Sequence, residues 1–254
     1  MKRVVFNQKG GVGKSSITAN LAAISAARGL KTLVVDLDPQ CNSTQYLYGE
    51  GSDTLEEDIK AFFEQTLTFQ LKPHGPDKFI HPTPYPNLFI LPANPDVADL
   101  QSKLETKHKI YKLKEALEQL DDFDAIYIDT PPAFNFFTLS ALVAADRCLI
   151  PFDCDEFARN ALYSLLDNVN ETRMDHNEQL QIEGIVVNQY QPRASLPKKI
   201  VAELEGESLP VLKTKIGSSV KMRESHNEAK PLIHLAPNHK LTLEFIDLFD
   251  ELHA

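Results

Sequence analysis

The sequence contains no tryptophan and only three cysteines, and it lacks any apolar run near the roughly 20 residues that a membrane-spanning helix needs. Cys41, Cys148 and Cys154 form neither a C-x-x-C pair nor the spacing of a disulfide framework. No secretory signal pattern precedes the first apolar segment, which begins at residue 3. We therefore expect reduced thiols and a location in the cytoplasm.

Positive charge is also scarce, with 26 Lys and Arg residues against 36 Asp and Glu residues and a net charge of -10. Any contact with nucleic acid must therefore come from a local basic patch. Residues 193–230 form the one such segment, with eight basic and five acidic residues, whereas the remainder carries 18 basic and 31 acidic residues. A cluster of this kind is typical of a solvated face as well as of a binding surface.

Short apolar segments alternate with helical patterns along the whole chain, which indicates an α/β fold with a mostly parallel, twisted sheet flanked by helices. The predicted strands are 3–7, 32–36, 88–92, 125–129, 148–152, 182–188 and 211–216. The predicted helices are 15–28, 55–65, 97–105, 110–120, 137–145, 158–173, 199–205 and 241–252. Segment 72–86 has five prolines and is predicted to be a surface loop. We expect residues 1–254 to form a single domain.

The strongest functional motif is a glycine-rich loop between the first predicted strand and the first predicted helix. Residues 10–15 read GGVGKS, the pattern of a phosphate-binding loop (P-loop). Its backbone N–H groups can surround phosphate oxygens, with Lys14 on the β- and γ-phosphates and the Ser15 hydroxyl on Mg²⁺. The predicted nucleotide contacts are Gly10, Gly11, Val12, Gly13, Lys14, Ser15 and Ser16.

A second lysine, Lys9, opens this loop, so that residues 9–15 read KGGVGKS. This pattern resembles the deviant Walker A box of the ParA/MinD family of P-loop ATPases. The resemblance implies ATP and Mg²⁺ as cofactors and an ATP-dependent homodimer, in which Lys9 reaches the ATP phosphates of the partner subunit. A cation delivered across such an interface would offset concentrated negative charge. Lys9 and Lys14 are accordingly predicted to be catalytic.

Two acidic strand ends support the resemblance. Residues 36–40 read DLDPQ and resemble switch I, in which Asp38 positions or activates the attacking water. Residues 125–132 read AIYIDTPP and resemble Walker B with switch II, in which Asp129 holds Mg²⁺ through water. Asp36 either joins the Mg²⁺ shell or only hydrogen-bonds the loop. Cys41 replaces the glycine that commonly follows the DPQ stretch.

Resemblance to the family continues to the end of the chain. Asn188 ends a late strand at the position where family members read the adenine edge. Residues 216–232 resemble the family's late loop and helix, but Gly217, Ser218 and Ser219 replace the usual Pro-Arg-Asn. The C-terminal residues 241–252 are amphipathic and acidic, which opposes binding to anionic lipid and favours a packing helix without a membrane role.

These features favour the short ParA type, which segregates plasmids or chromosomes or positions other large cargo. The resemblance implies non-specific DNA binding, association with the nucleoid, and a ParB-like or cargo-bound adaptor that stimulates slow hydrolysis. The candidate DNA contacts are Lys198, Lys199, Lys221 and Arg223. Two alternatives stay open: an ATP-dependent enzyme of the same fold that acts on a small molecule, similar to dethiobiotin synthetase, and an ATPase scaffold that does not bind DNA.

Overall fold

The computed structural model describes residues 1–154 and 158–254. The strands are β1 Lys2–Val5, β2 Thr32–Asp36, β3 His81–Pro82, β4 Leu88–Leu91, β5 Ala125–Asp129, β6 Arg147–Asp153, β7 Gln181–Tyr190 and β8 Val211–Gly217. The helices are α1 Lys14–Ala27, α2 Asn42–Tyr48, α3 Ile59–Leu67, α4 Gln101–Thr106, α5 Lys112–Leu117, α6 Phe136–Ala144, α7 Ala158–Asp175, α8 Ser195–Gly206, α9 Val220–Asn227, α10 Leu232–Leu235 and α11 Lys240–Glu251. Short 3-10 turns cover Ser52–Thr54, Pro76–Phe79 and Pro95–Leu100.

All strands of this described part join one sheet in the order β3-β4-β2-β5-β1-β6-β7-β8. Every neighbouring pair is parallel except β3 and β4, which confirms the predicted mostly parallel α/β fold. Alternate residues of the central strands enter two separate apolar cores, with Val4 and Val35 on one face and Val5 and Val34 on the other. Helices cover both faces, so the central strands read as continuous apolar runs.

The C-terminal helix α11 closes the open edge of the sheet at β8. Its apolar side chains, including Phe245 and Leu248, are buried against the core that contains α1. Glu251 accepts hydrogen bonds from the backbone N–H groups of Lys213 and Thr214, each at 2.8 Å. The acidic residues on α11 therefore occupy N–H groups that an edge strand would otherwise leave unpaired. The helix packs on the sheet, as its sequence predicts.

Several local predictions were incomplete. Helix α2 was not predicted, and α3 begins four residues later than expected because Asp58 caps it by accepting a hydrogen bond from the Ala61 N–H. Segment 72–86 is not wholly a loop, since it contains a 3-10 turn and the short strand β3. Pro82 is tolerated in β3 because this strand lies at the sheet edge. Among the described residues, no helix combines the length and the apolar character needed to cross a bilayer.

Candidate nucleotide-binding site

The P-loop joins the end of β1 to the first turn of α1. Gly11 and Gly13 have φ angles of 77° and 91°, which glycine adopts without strain. A Cβ atom on Gly13 would also collide with the side-chain amide of Asn188. The loop borders a cavity of about 380 Å³ whose lining includes Gly10, Gly11, Gly13, Lys14, Ser15, Ser16, Asp38, Pro132 and His226. The glycine pattern thus places the N-terminus of α1 at a cavity of a size that suits phosphate groups.

Side-chain amides of Asn7, which follows β1, and of two residues of β7 hold the P-loop in place. Asn7 donates to the Pro151 carbonyl at 2.6 Å and accepts from the Lys9 N–H at 2.8 Å. Asn188 donates to the Val12 carbonyl at 2.8 Å, and Gln189 donates to the Gly11 carbonyl at 2.9 Å.

Asn188 and Gln189 reach the same loop although they are consecutive residues of β7. Gln189 has a φ of 53°, so the backbone leaves the extended form and the usual alternation of side chains is lost. No sequence pattern marks Gln189 as a loop contact, since only its backbone conformation brings it to the loop. The Asn188 amide nitrogen holds the loop in this structure, and its contact with adenine stays a prediction.

Lys14 lies inside the loop and is buried. Its ammonium nitrogen is 3.2 Å from the Lys9 carbonyl oxygen, to which it donates a hydrogen bond. Burial lowers the pKa of Lys14, and the charges of Asp129 and Asp38 oppose that effect. A buried cation that faces two acids and a loop of N–H groups is suited to binding a polyanion.

Asp36 and Asp129 are direct neighbours in the sheet because β2 and β5 pair in register at these residues. Both are fully buried. Asp36 accepts hydrogen bonds from the Thr44 N–H at 2.9 Å, the Thr44 hydroxyl at 2.8 Å and the Asp38 N–H at 3.1 Å. Burial, together with the charge of Asp129, raises the pKa of Asp36 well above its ordinary value.

Asp129 keeps one carboxylate oxygen without a hydrogen bond. Its Oδ2 accepts a hydrogen bond from the Ser43 hydroxyl at 2.7 Å, while its Oδ1 is buried and has no partner among the described residues. Burial raises the pKa of Asp129, and the nearby Ser15 and Ser43 hydroxyls oppose the rise. A buried oxygen without a partner beside a serine hydroxyl is an arrangement that a bound cation would satisfy.

Comparison with known proteins agrees with this geometry. A family model described as an AAA domain matches residues 2–182. The chromosome partitioning protein ParA of Myxococcus xanthus is 32% identical over 90% of this chain and 79% of its own length. The sporulation initiation inhibitor protein Soj of Bacillus subtilis is 31% identical over 98% of this chain and 97% of its own. The chain belongs to the ParA family of ATPases.

One solved structure is similar over nearly the whole of this ParA-family chain. Cobyrinic acid a,c-diamide synthase of Mycobacterium smegmatis, with a bound ATP analogue and magnesium, has a TM-score of 0.84 and 26% identity. The match covers 98% of this chain and 92% of the synthase. The ParA-family chain, a P-loop ATPase of the same fold, uses ATP and Mg²⁺.

The residues present fit the magnesium ion. Among the described residues no group of three His, Cys, Asp or Glu side chains could hold a metal by itself. Mg²⁺ needs no such group, because in nucleotide sites it takes most ligands from phosphates and water. The Ser15 hydroxyl and the free oxygen of Asp129 are the groups that would hold it, and the ion would neutralise phosphate charge. The two oxygens of Asp36 already accept hydrogen bonds, which favours hydrogen bonding over metal binding for this residue.

Asp38, the predicted water-positioning acid, lines the cavity and is 5% exposed. Its Oδ1 accepts a hydrogen bond from the Gln40 N–H at 3.0 Å, which fixes the carboxylate at the cavity wall. Burial raises its pKa, with the Gln40 N–H and the charge of Lys14 acting in the opposite direction. The position of Asp38 beside the P-loop is suited to positioning or activating a water molecule next to bound phosphate groups.

Lys9 lies at the outer rim of the loop. Its ammonium nitrogen is 3.7 Å from Asp153 Oδ2 at the end of β6, and the Lys9 side chain is 38% exposed. The predicted cross-subunit lysine thus pairs with an acid of its own chain in the single subunit.

Helix α2 contributes to the site but was not predicted from the sequence. It carries Ser43 and Thr44, whose side chains hydrogen-bond Asp129 and Asp36. Cys41 precedes it with φ 56° and ψ 26°, the left-handed region that favours glycine. This conformation gives the physical reason for glycine being common at the position.

The four candidate DNA contacts do not form one patch within a subunit. Lys198 and Lys199 are exposed on α8, whose Ile200 and Leu204 enter the core on one face of the sheet. Lys221 and Arg223 lie on α9, whose Met222 packs on the core of the other face. Lys221 also forms an ion pair with Glu224.

Proposed function

We propose that this ParA-family protein is an ATP-driven switch that dimerises on ATP, binds DNA without sequence preference, and segregates or positions a plasmid, chromosome or other cargo. The observation that carries the proposal is the place of Lys9, at the rim of a P-loop that already holds its own buried lysine, Lys14. A second lysine at the rim is not needed to neutralise the phosphates of its own site.

The contact between Lys9 and Asp153 is suited to exchange. Its distance of 3.7 Å and its partial exposure mark a weak pair, of the kind that contributes about 0–1 kcal/mol. A triphosphate on a facing subunit offers a higher negative charge in a less hydrated setting. We expect Lys9 to move from Asp153 to those phosphates when two ATP-loaded subunits meet.

Hydrolysis is expected to be slow in the isolated protein. Asp38 supplies a carboxylate for the attacking water, but no arginine finger is evident in the sequence, and phosphoryl transfer without one lacks a large stabilising contribution. A ParB-like or cargo-bound adaptor would complete the site and accelerate the reaction. The name of the Myxococcus xanthus relative, a chromosome partitioning protein, supports the segregation part of the proposal.

The dimer is tested by sedimentation of the wild-type protein with ATP and with ADP. We expect the mass to double with ATP alone, and Lys9→Ala to remain a monomer in both states. Lys60→Ala is a matched control, since Lys60 also forms an ion pair, at 3.2 Å from Asp96, but lies outside the cavity lining. Equal masses of the wild-type protein in ATP and ADP would refute the switch.

DNA binding requires two sets of variants because the candidate residues lie on two helices. Lys198→Glu/Lys199→Glu changes α8, and Lys221→Glu/Arg223→Glu changes α9. Each set should weaken ATP-dependent retention on DNA and reduce the dependence of affinity on salt, by about 0.9 in log–log slope for each lost phosphate contact. Lys72→Glu/Lys103→Glu makes the same change of charge at exposed lysines outside residues 193–230 and should bind as the wild type does. If neither variant set weakens ATP-dependent retention on DNA, the proposed DNA contacts are wrong. If the wild-type protein itself is not retained on DNA, an ATPase scaffold that does not bind DNA is favoured.

A DNA-bound switch would be a cytoplasmic protein associated with the nucleoid.

A second candidate function, an ATP-dependent enzyme acting on a small molecule, is favoured by the similarity to the Mycobacterium smegmatis synthase. Such an enzyme has no use for a lysine that crosses a subunit interface. Its signature would be hydrolysis stimulated by a small substrate while the mass stays unchanged between ATP and ADP.

A further inference from the structure

His226 is a half-buried residue of α9 that lines the phosphate cavity. Its Nε2 atom lies 2.8 Å from the hydroxyl oxygen of Ser16, the third residue of α1. The imidazole stacks on the Tyr46 ring, with ring centres 4.2 Å apart and planes 22° apart. Because the stacking fixes the plane of the imidazole, Nε2 is held toward Ser16.

The surrounding side chains tie three helices together at this point. The Tyr46 hydroxyl of α2 contacts the Ser225 hydroxyl of α9 and accepts a hydrogen bond from the Asn20 amide of α1 at 3.1 Å. The Asn20 carbonyl oxygen accepts a hydrogen bond from the Leu232 N–H at 2.9 Å. One buried polar network therefore connects three helices. They are α1, which follows the P-loop, α2, whose side chains hydrogen-bond Asp36 and Asp129, and α9.

The direction of the hydrogen bond between Ser16 and His226 depends on whether a phosphate occupies the cavity, because the Ser16 hydroxyl has a single hydrogen atom. A serine hydroxyl has one hydrogen to donate, whereas phosphate oxygens only accept. When Ser16 donates to a phosphate oxygen, it can only accept from His226, which must then carry its hydrogen on Nε2. A phosphate in the cavity therefore selects one tautomer of His226 and one polarity of this hydrogen bond.

This argument rests on the proposed ATP-binding function. We propose that His226 is a positioning residue through which occupancy of the phosphate cavity fixes the placement of α9. The same helix carries Lys221 and Arg223, two of the candidate DNA contacts. His226 thus provides a physical connection from the nucleotide to that part of the surface, by one hydrogen bond and one ring stack.

The test measures hydrogen exchange of the α9 amides with and without ADP and Mg²⁺. In the wild-type protein ADP should slow exchange across α9. His226→Ala should bind ADP only about 2- to 10-fold more weakly, which is the loss expected for one hydrogen bond, while ADP should no longer protect α9. His226→Gln keeps an N–H that can donate to Ser16 and should restore part of the protection.

A matched control comes from His234, which stacks on Tyr85 with ring centres 4.5 Å apart but does not line the cavity. His234→Ala should respond to ADP as the wild type does. Full protection of α9 by ADP in His226→Ala would overturn the inference and leave the proposed function intact. Failure of the wild-type protein to bind ADP would overturn the proposed function as well. In a double-mutant cycle, adding His226→Ala to Ser16→Ala should cost no further ADP affinity, and a full additive loss would contradict the pairing.

Discussion

Replacing Gly13 by alanine tests how the P-loop is held. Gly13 and Gly29 share a φ of 91°, so alanine at either position incurs the same left-handed backbone cost of about 1–2 kcal/mol. They differ in their surroundings. A Cβ on Gly29 meets nothing within 4 Å, whereas a Cβ on Gly13 collides with the Asn188 amide that donates to the Val12 carbonyl. Gly13→Ala should therefore cost about 1–3 kcal/mol more than Gly29→Ala, the cost of leaving a buried polar group unpaired.

The assay is urea unfolding of the protein without nucleotide, for each glycine variant alone and combined with Asn188→Ala. With Asn188 truncated, the collision disappears, and Gly13→Ala should cost no more than Gly29→Ala. The reasoning is refuted if the two glycine variants have equal free energies of unfolding when Asn188 is present. It is also refuted if the extra cost at Gly13 persists in the absence of the Asn188 amide.

Three further predictions concern charged residues. Lys14→Ala should abolish ATP binding in titration calorimetry while the protein stays folded by circular dichroism, and micromolar affinity in this variant would contradict the phosphate role. Asp38→Ala should keep ATP binding but slow hydrolysis by about 10²- to 10⁴-fold, the usual contribution of a general base, so that ATP-bound dimers accumulate in gel filtration; full turnover would remove Asp38 from the mechanism. Burial alone would raise the pKa of Glu251, but hydrogen bonds from Thr214 and Lys213 outweigh it and hold the pKa below 4.5. The ionised group therefore stabilises the fold at pH values above 4.5. Because the group is partly exposed, the loss in Glu251→Gln should be at most about 1 kcal/mol at pH 7, and it should shrink as the pH falls below 4.5 through the lowered pKa of the folded state; a pH-independent difference would contradict this.

The buried strands and the P-loop were predictable because their signals are local. Predicted strands 32–36 and 125–129 coincide with β2 and β5, since strands covered on both faces leave continuous apolar runs. Helix α1 ends at Ala27, one residue before its predicted end, and Gly29 follows in the left-handed conformation that commonly ends a helix. The paired acids Asp36 and Asp129 also follow, because parallel strands of similar length end at one edge of the sheet.

The elements that were missed depend on contacts between distant residues. Helix α2 has only seven residues, too few to show an apolar period, and its Ser43 hydroxyl bonds Asp129, 86 residues away. His226 reaches Ser16 across 210 residues, and no local pattern marks it as part of the site. Helix α8 starts four residues before its predicted start, since Pro197 falls in its first turn, where the missing N–H has no intrahelical partner to lose.

The basic segment 193–230 shows the limit of counting charges. The segment carries an excess of positive charge, but the fold places the candidate DNA contacts on two helices, α8 and α9, which lie on opposite faces of the sheet. A single subunit does not join these residues into one surface, so the DNA contacts stay a prediction.

The central claim is that Lys9 acts in the site of the partner subunit, and mixing two inactive variants tests it most directly. Lys9→Ala keeps Asp38, and Asp38→Ala keeps Lys9, so a mixed dimer contains one complete site only if Lys9 acts across the interface. The variants are mixed before ATP is added, and phosphate release is measured against each variant alone. We predict hydrolysis well above the sum of the separate rates. A rate equal to that sum, although gel filtration shows the mixed dimer, would mean that Lys9 serves its own subunit, which contradicts the account.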